Sequence, residues 1–232
     1  MEIKDSVALV TGANRGIGHA FVRALVDHGA AKVYAGVRDV TTVVDPDVTP
    51  LRLDVTNPAE ITAATVAADD VTIVINNAAV DSEGTRLLDG GFDDARQAME
   101  VNYFGTWAVS RAFAPVLARN GGGALVNMLS VASWIGAPAL PGYAASKAAQ
   151  WSLTQSLRQG LRDQGTLVIG VHAGFVDTDL SARFDAPKIT PASVAEQTMQ
   201  ALADNATEVL ADERSRRVKA DLGRSVNGQS SS

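Results

Sequence analysis

Tyr143 and Lys147 stand four residues apart in PGYAASK, and Ser130 lies 13 positions before the tyrosine, after the apolar run ALVNML. In a helix that spacing puts phenol and ammonium on one face, about 6 Å apart. A hydroxyl at the carboxyl end of a strand stands where open parallel sheets bind their ligands. A second group is of another kind. TGANRGIG, residues 11–18, follows an apolar run and opens a helical pattern, with Gly12, Gly16 and Gly18 spaced GxxxGxG. A strand that turns at once into a helix offers free N–H groups and the positive end of the helix dipole, which hold a phosphate or pyrophosphate. The spacing is neither the GxGxxG dinucleotide fingerprint nor the GxxxxGK[ST] phosphate loop, and a plain tight turn is the alternative reading. Arg15, long and charged, is out of place in a loop built to be small.

Short runs rich in Val, Ile and Leu alternate with longer helical patterns, the signature of a parallel sheet with helical crossovers. Strands are expected at SVALVT, KVYAGV, 51–54, 71–76, 124–128, 167–172 and 208–211. Helices are expected at 17–28, 58–67, 93–118, 143–163 and 191–203, the last with Thr190 as N-cap and Pro191 at its first position. The crossover from Arg38 to Pro50, with two prolines and little periodicity, reads as a loop. RSRRVKADLGR reads as a solvated last helix, and 223–232 as a disordered tail. No repeat or linker divides the chain, so one domain is expected.

Hydrophobic residues make up 46% and charged residues 20% of the 232, the balance of a soluble globular protein. A net charge of −6 without a long basic run leaves out the electrostatic footprint of a nucleic-acid or anionic-membrane binder. There is no cysteine, hence no disulfide, thiolate metal site or thiol nucleophile, and the three histidines, His19, His28 and His172, form no metal-ligand cluster. The first residues lack a signal-peptide pattern and no apolar stretch approaches the ~20 residues of a membrane span, so a cytoplasmic protein is expected.

TGANRGIG, Asp54 in RLDV, NNAA at 76–79, Asn102 in VNYFG, Ser130, YAASK and AGFVDT at 173–178 follow in an order and spacing that resemble the short-chain dehydrogenase/reductase family over residues 1–212. The resemblance implies an α/β fold: a single-domain Rossmann-type doubly wound parallel sheet flanked by helices over 1–222, with a small lid at about 179–190. It implies hydride transfer between a nicotinamide and a carbonyl or secondary alcohol. Tyr143 resembles the family's acid/base, Lys147 the lysine that also binds the nicotinamide ribose, Ser130 the serine that holds the substrate carbonyl, and Asn102 the asparagine that holds a relay water. A free tyrosine titrates near 10, and a lysine one turn away together with a helix start would favour the tyrosinate. Ser133 supports the loop. Asn102 read without the resemblance is a solvent-facing amide in a helix.

For the cofactor the resemblance implies Gly12, Asn14, Arg15, Gly16, Ile17 and Gly18 at the pyrophosphate, Asp54 and Val55 at the adenine, and Asn76, Asn77 and Ala78 along the adenosine half. Tyr143, Lys147, Gly174, Val176 and Thr178 fall on the nicotinamide side. NAD-specific members resemble one another in an acid at the end of the second strand, for the ribose 2′-hydroxyl. Val37 stands there, followed by Arg38 and Asp39. Arg15 and Arg38 converging on a 2′-phosphate favour NADP(H); a register slip that brings Asp39 to this place leaves NAD(H) open. Ala79 and Ala173 replace the family's usual glycine and proline.

Val80, Ser130, Trp134, Leu140, Phe175 and Leu180, with the lid to Lys188, border an apolar pocket suited to a small-molecule ketone, aldehyde or secondary alcohol. The expectation is an NADP(H)-dependent carbonyl reductase. A 3-ketoacyl carrier-protein reductase, which would dock its partner on basic residues such as Arg183 and Lys188, is the rival enzyme. A nucleotide-sensing regulator with the same fold is the rival of another class. Family habit implies a homo-oligomer, dimer or tetramer, with Trp151 at the interface.

Overall fold

The apolar runs fold into seven parallel strands, β1 (Val7–Thr11), β2 (Lys32–Val37), β3 (Thr49–Arg52), β4 (Ile73–Asn76), β5 (Ala124–Met128), β6 (Leu167–His172) and β7 (Glu208–Leu210). They lie in one sheet in the order β3-β2-β1-β4-β5-β6-β7. The structure is a computed structural model that describes residues 1–84 and 86–227, the last five by their backbone alone. Helices α1 (Gly16–Asp27), α2 (Pro58–Ala67), α3 (Asp93–Ala98), α4 (Thr106–Arg119), α5 (Pro141–Gly160), α6 (Pro191–Ala203) and α7 (Glu213–Asn227) connect and follow the strands.

Side chains alternate across each strand, and both faces of the central strands β1, β4, β5 and β6 are buried, whereas edge strand β3 is largely exposed. Ala8 and Val10 of β1, with Ile73 and Ile75 of β4, pack on the face covered by Phe21 and Leu25 of α1 and Met199 and Leu202 of α6. Leu9 and Val74 point the other way, to Ile61 of α2 and Phe113 and Leu117 of α4. Each such fully buried side chain contributes about 1.5–3 kcal/mol relative to its exposed state. The chain builds β1, β2 and β3 toward one edge, then returns beside β1 as β4 and builds β5, β6 and β7 toward the other, so the connections after β1 and β4 leave on opposite faces of the sheet. Between them lies the crevice where open sheets bind ligands.

Three expectations shift. β3 starts at Thr49 and includes Pro50, two residues before the expected strand; an edge strand tolerates a proline because one side of its backbone needs no partner. α5 starts at Pro141, with Pro at its first position, rather than at Tyr143. α7 runs through Gly223 to Asn227, where a tail was expected from residue 223, since a single glycine costs a helix only about 1 kcal/mol; the rest of that tail, 228–232, lies outside the described residues. Among the described residues no helix is long and apolar enough to cross a membrane.

His172 ends β6 at 1% exposure. Its ring stacks on Trp134 with centroids 3.8 Å apart, and Nδ1 donates to the Ser130 carbonyl at 3.2 Å. Burial, the largest effect, pushes its pKa down to about 3, so the folded ring stays neutral while the unfolded chain takes up a proton near 6.5. The stability this neutral ring provides is complete above that value and lost as pH falls toward 3, with a slope approaching 1.4 kcal/mol per pH unit, roughly. Thermal unfolding between pH 7 and about 4 should therefore fall less steeply in His172→Gln than in the native chain.

Candidate active site

The crevice begins where β1 ends. Gly12 has φ +64°, and a Cβ there would stand 3.0 Å from Ala78 Cα in the loop after β4. A Cβ on Gly18 would stand 2.1 Å from the Gly12 carbonyl oxygen and 2.6 Å from Asn77 Nδ2. The two loops are therefore stitched together at backbone distance. Thr11 Oγ1 accepts from the N–H groups of Asn77 and Ala78, both at 3.0 Å. Asn77 Nδ2 donates to the carbonyls of Thr11 at 3.0 Å and Gly12 at 3.2 Å. Asn77, expected at the cofactor, thus has its amide donors committed to the glycine loop. Helix α1 opens from this loop with Arg15 as N-cap, no side-chain cap and no acid in its first turn. Free N–H groups and a positive helix end on a loop held this firmly fit a pyrophosphate.

On the far side of the crevice Ser130 follows β5 and caps a short turn, its hydroxyl accepting from Ala132 N at 3.1 Å. Ser133 Oγ accepts in return from Ser130 N, the supporting role expected of it. Tyr143 sits in the first turn of α5, its N–H held by Ser82 Oγ at 2.9 Å. The Ser130 hydroxyl bonds the phenol and lowers its pKa, but burial outweighs it, Asp81 adds to burial, and the group is pushed up to about 12. Lys147 is 2% exposed, and burial pulls it down to about 7. Its Nζ donates to the Met128 carbonyl and to Gln150 Oε1, each at 2.8 Å, and lies 5.8 Å from the Tyr143 ring centroid. Desolvation is the largest influence on the phenol, and no contribution of Lys147 is among the causes of its shift.

Asn102 is fully buried rather than solvent-facing. It lies in a π-helical turn, Met99–Gly105, between α3 and α4, an inserted residue of the kind that marks functional sites. Its Nδ2 donates to the Val80 carbonyl at 2.8 Å and Ser146 Oγ at 2.9 Å, and its Oδ1 accepts from Val80 N at 2.9 Å. The side chain braces the β4 loop against α5.

At the adenine side Val37 is buried and Arg38 is exposed. Asp39 turns its carboxylate back on Thr41, accepting from N at 3.0 Å and Oγ1 at 2.7 Å. Asp54 is partly buried, which raises its pKa, but bonds from Thr56 and the charges of Arg38 and Arg52 hold it below the usual carboxylate range. Val55 is buried, its side chain filling the space beside Gly105. Arg15 does not join Arg38. Its guanidinium pairs with Asp179 at 2.8 Å, because a carboxylate on the lid is the nearer partner for an exposed cation.

Gly174 N donates to Asp212 Oδ2 at 2.7 Å. Val176 bridges to Ile189, closing the base of the segment between them, and Gly16 faces the Thr178 methyl. Phe184 of the lid folds onto Phe175, centroids 5.2 Å apart, and Leu180 is 40% exposed. Val80 and Leu140 are partly buried. Trp134 is drawn instead into packing between His172 and Lys219 of α7. Arg183 is neutralised by Asp81 at 2.9 Å and Glu83 at 3.0 Å.

The short chain dehydrogenase family matches this chain over residues 6–188. The chain belongs to that family. An uncharacterized oxidoreductase of Staphylococcus aureus is 31% identical over 86% of this chain and 92% of its own. A short chain dehydrogenase of Burkholderia cenocepacia, solved in complex with NADP, is 37% identical with a TM-score of 0.93, covering 98% of this chain and 97% of that one. A short chain dehydrogenase/reductase of Burkholderia phymatum, in complex with NAD, is 25% identical with a TM-score of 0.88 over 99% and 96%.

Within this dehydrogenase, the sequence reading passed over Ser82, Gln150, Asp179 and Asp212. Gln150 carried a signal, a polar residue three beyond Lys147 on a helix face that turns inward. The others sit in loops or at a helix start, where polar residues are ordinary. Gly18→Ala should destabilise the protein by about 1–3 kcal/mol, the scale of overpacking. Gly136→Ala, where a Cβ meets nothing within 4 Å, should be close to neutral in the same thermal-unfolding comparison.

Proposed function

We propose that this short-chain dehydrogenase is an NADP(H)-dependent carbonyl reductase, equivalently a secondary-alcohol dehydrogenase. The observation that carries the reading is the half-buried Tyr143 phenol with Ser130 as its side-chain hydrogen-bond partner and Lys147 Nζ 5.8 Å from its ring centroid. Gly12, Asn14, Gly16, Ile17 and Gly18 would hold the pyrophosphate, Asp54 the adenine, and Lys147, Gly174, Val176 and Thr178 the nicotinamide half. A reduced nicotinamide bound there supplies hydride to the carbonyl carbon. Ser130 Oγ orients the carbonyl oxygen, and Tyr143 Oη gives that oxygen its proton; in the reverse direction the phenolate takes the proton back. Alcohol oxidation needs the phenolate and should therefore rise with alkalinity.

NADP(H) over NAD(H) is supported by Arg38 next to the missing acid at Val37 and by the Asp39 carboxylate committed to Thr41. The NADP complex of the 37% identical relative points the same way. Arg15 can join Arg38 at little cost, since an ion pair as exposed as Arg15–Asp179 is worth at most about 1 kcal/mol. Neutralisation of Arg183 by Asp81 and Glu83 removes a basic dock for a carrier protein and supports a free small-molecule substrate. The same reading includes a small homo-oligomer, supported by Phe104 and Trp107, 47% and 42% exposed on the π turn and α4.

Tyr143→Phe should lower kcat for ketone reduction by roughly 10²–10⁴-fold while NADPH still binds, as read by fluorescence titration. Unchanged turnover would remove Tyr143 from the chemistry, and cofactor binding without turnover on any ketone would favour the sensor. Arg38→Gln should lower kcat/KM for NADPH roughly ten- to a hundredfold, the loss of one charge-assisted pair, and leave NADH nearly unaffected. Equal losses for both cofactors would sink the NADP(H) assignment.

A further inference from the structure

Gln150 is 1% exposed on α5, three residues beyond Lys147. Its Oε1 accepts from Lys147 Nζ at 2.8 Å, and its Nε2 donates to Thr106 Oγ1 at 2.8 Å. Thr106 is itself buried and opens α4 directly after the π turn that carries Asn102. The amide cannot be reversed without setting its NH₂ against the ammonium. A leucine or methionine would fill such a position without the desolvation cost of an amide, so the amide is explained by the cation it meets. The only other protein acceptor bonded to Nζ among the described residues is the Met128 carbonyl at the end of β5.

We propose that Gln150 is a positioning residue for Lys147: it fixes the ammonium between β5 and the π turn with a neutral acceptor, leaving the positive charge uncancelled for the reacting groups. The assignment rests on the reading of Lys147 as part of the reductase site. A carboxylate at this place would neutralise the lysine; an apolar residue would leave it with one acceptor and a stronger drive to shed its proton. The titratable groups that face Lys147 are Tyr143 on its own helix and His172 on β6, whose ring feels the lysine's charge. Asp81 stands beyond the phenol.

The test follows the Lys147 titration directly, by NMR of protein whose lysines are isotope-labelled at the ε-carbon, with the resonance assigned by its loss in Lys147→Met. Gln150→Glu should move the midpoint upward by about one pH unit or more, and Gln150→Met should move it downward. The pH profile of kcat should move with it while KM for the ketone changes little. Midpoints that coincide in the native chain and both variants would overturn the assignment and reduce Gln150 to packing. If Gln150→Glu fails to fold, Gln150→Met and Thr106→Val, which frees the amide from its anchor, decide the matter: both should lower the midpoint, and no movement in either overturns it. The NMR readout is independent of turnover. A native enzyme that reduces no ketone would defeat the reductase reading, while the midpoints still decide for or against Gln150.

Discussion

An ammonium taken almost wholly out of water has to be met by acceptors, and at Lys147 they come from different parts of the chain. One is a main-chain carbonyl at the end of a central strand, the other a side-chain amide anchored on a neighbouring helix. Beneath them a buried polar layer continues. Asn127 donates to Thr154 Oγ1 and accepts from Asn76, which also donates to Ser110. These bonds tie β4, β5, α4 and α5 into one block. The buried polar layer beside Lys147 thus joins four elements, and Ser130 after β5 and Tyr143 on α5 are carried on that block.

The opposite wall obeys a steric rule instead. Where the β1 loop crosses the β4 loop, the distances leave no room for a side chain at Gly12 or Gly18, and the crossing is sealed by Thr11 and Asn77. The close crossing fixes the loop that opens α1, whose first N–H groups a diphosphate can approach. One side of the crevice is electrostatic and the other is shape.

Much of this was legible in the sequence. Tyr143, Lys147 and Ser130 announce themselves by spacing on a helix and after a strand, and the strands by runs of β-branched residues buried on both faces. What was hidden depends on contacts between segments far apart in the chain. That desolvation is the largest influence on the phenol follows only from the packing around α5. Arg15 reaches Asp179 across 164 positions of sequence, a pairing no local pattern specifies. The π turn at Asn102 looks in sequence like uninterrupted helix, because neither glycine nor proline marks its start and its polar residue is satisfied by Val80 and Ser146, far away in the chain. Pro50 in β3 and Gly223 in α7 mislead for the opposite reason: both residues usually interrupt, and here one lies on a sheet edge and the other in an exposed helix.

The segment between Asp177 and Ile189 is closed at its base by the Val176–Ile189 bridge and by bonds of Asp177 and Ile189 across it. A loop whose ends are already joined has given up its closure entropy within the fold, whatever it later covers. Ordering it over a ligand then costs the rotamer freedom of a few side chains such as Leu180 and Arg183. More of the binding free energy is left to discriminate between substrates.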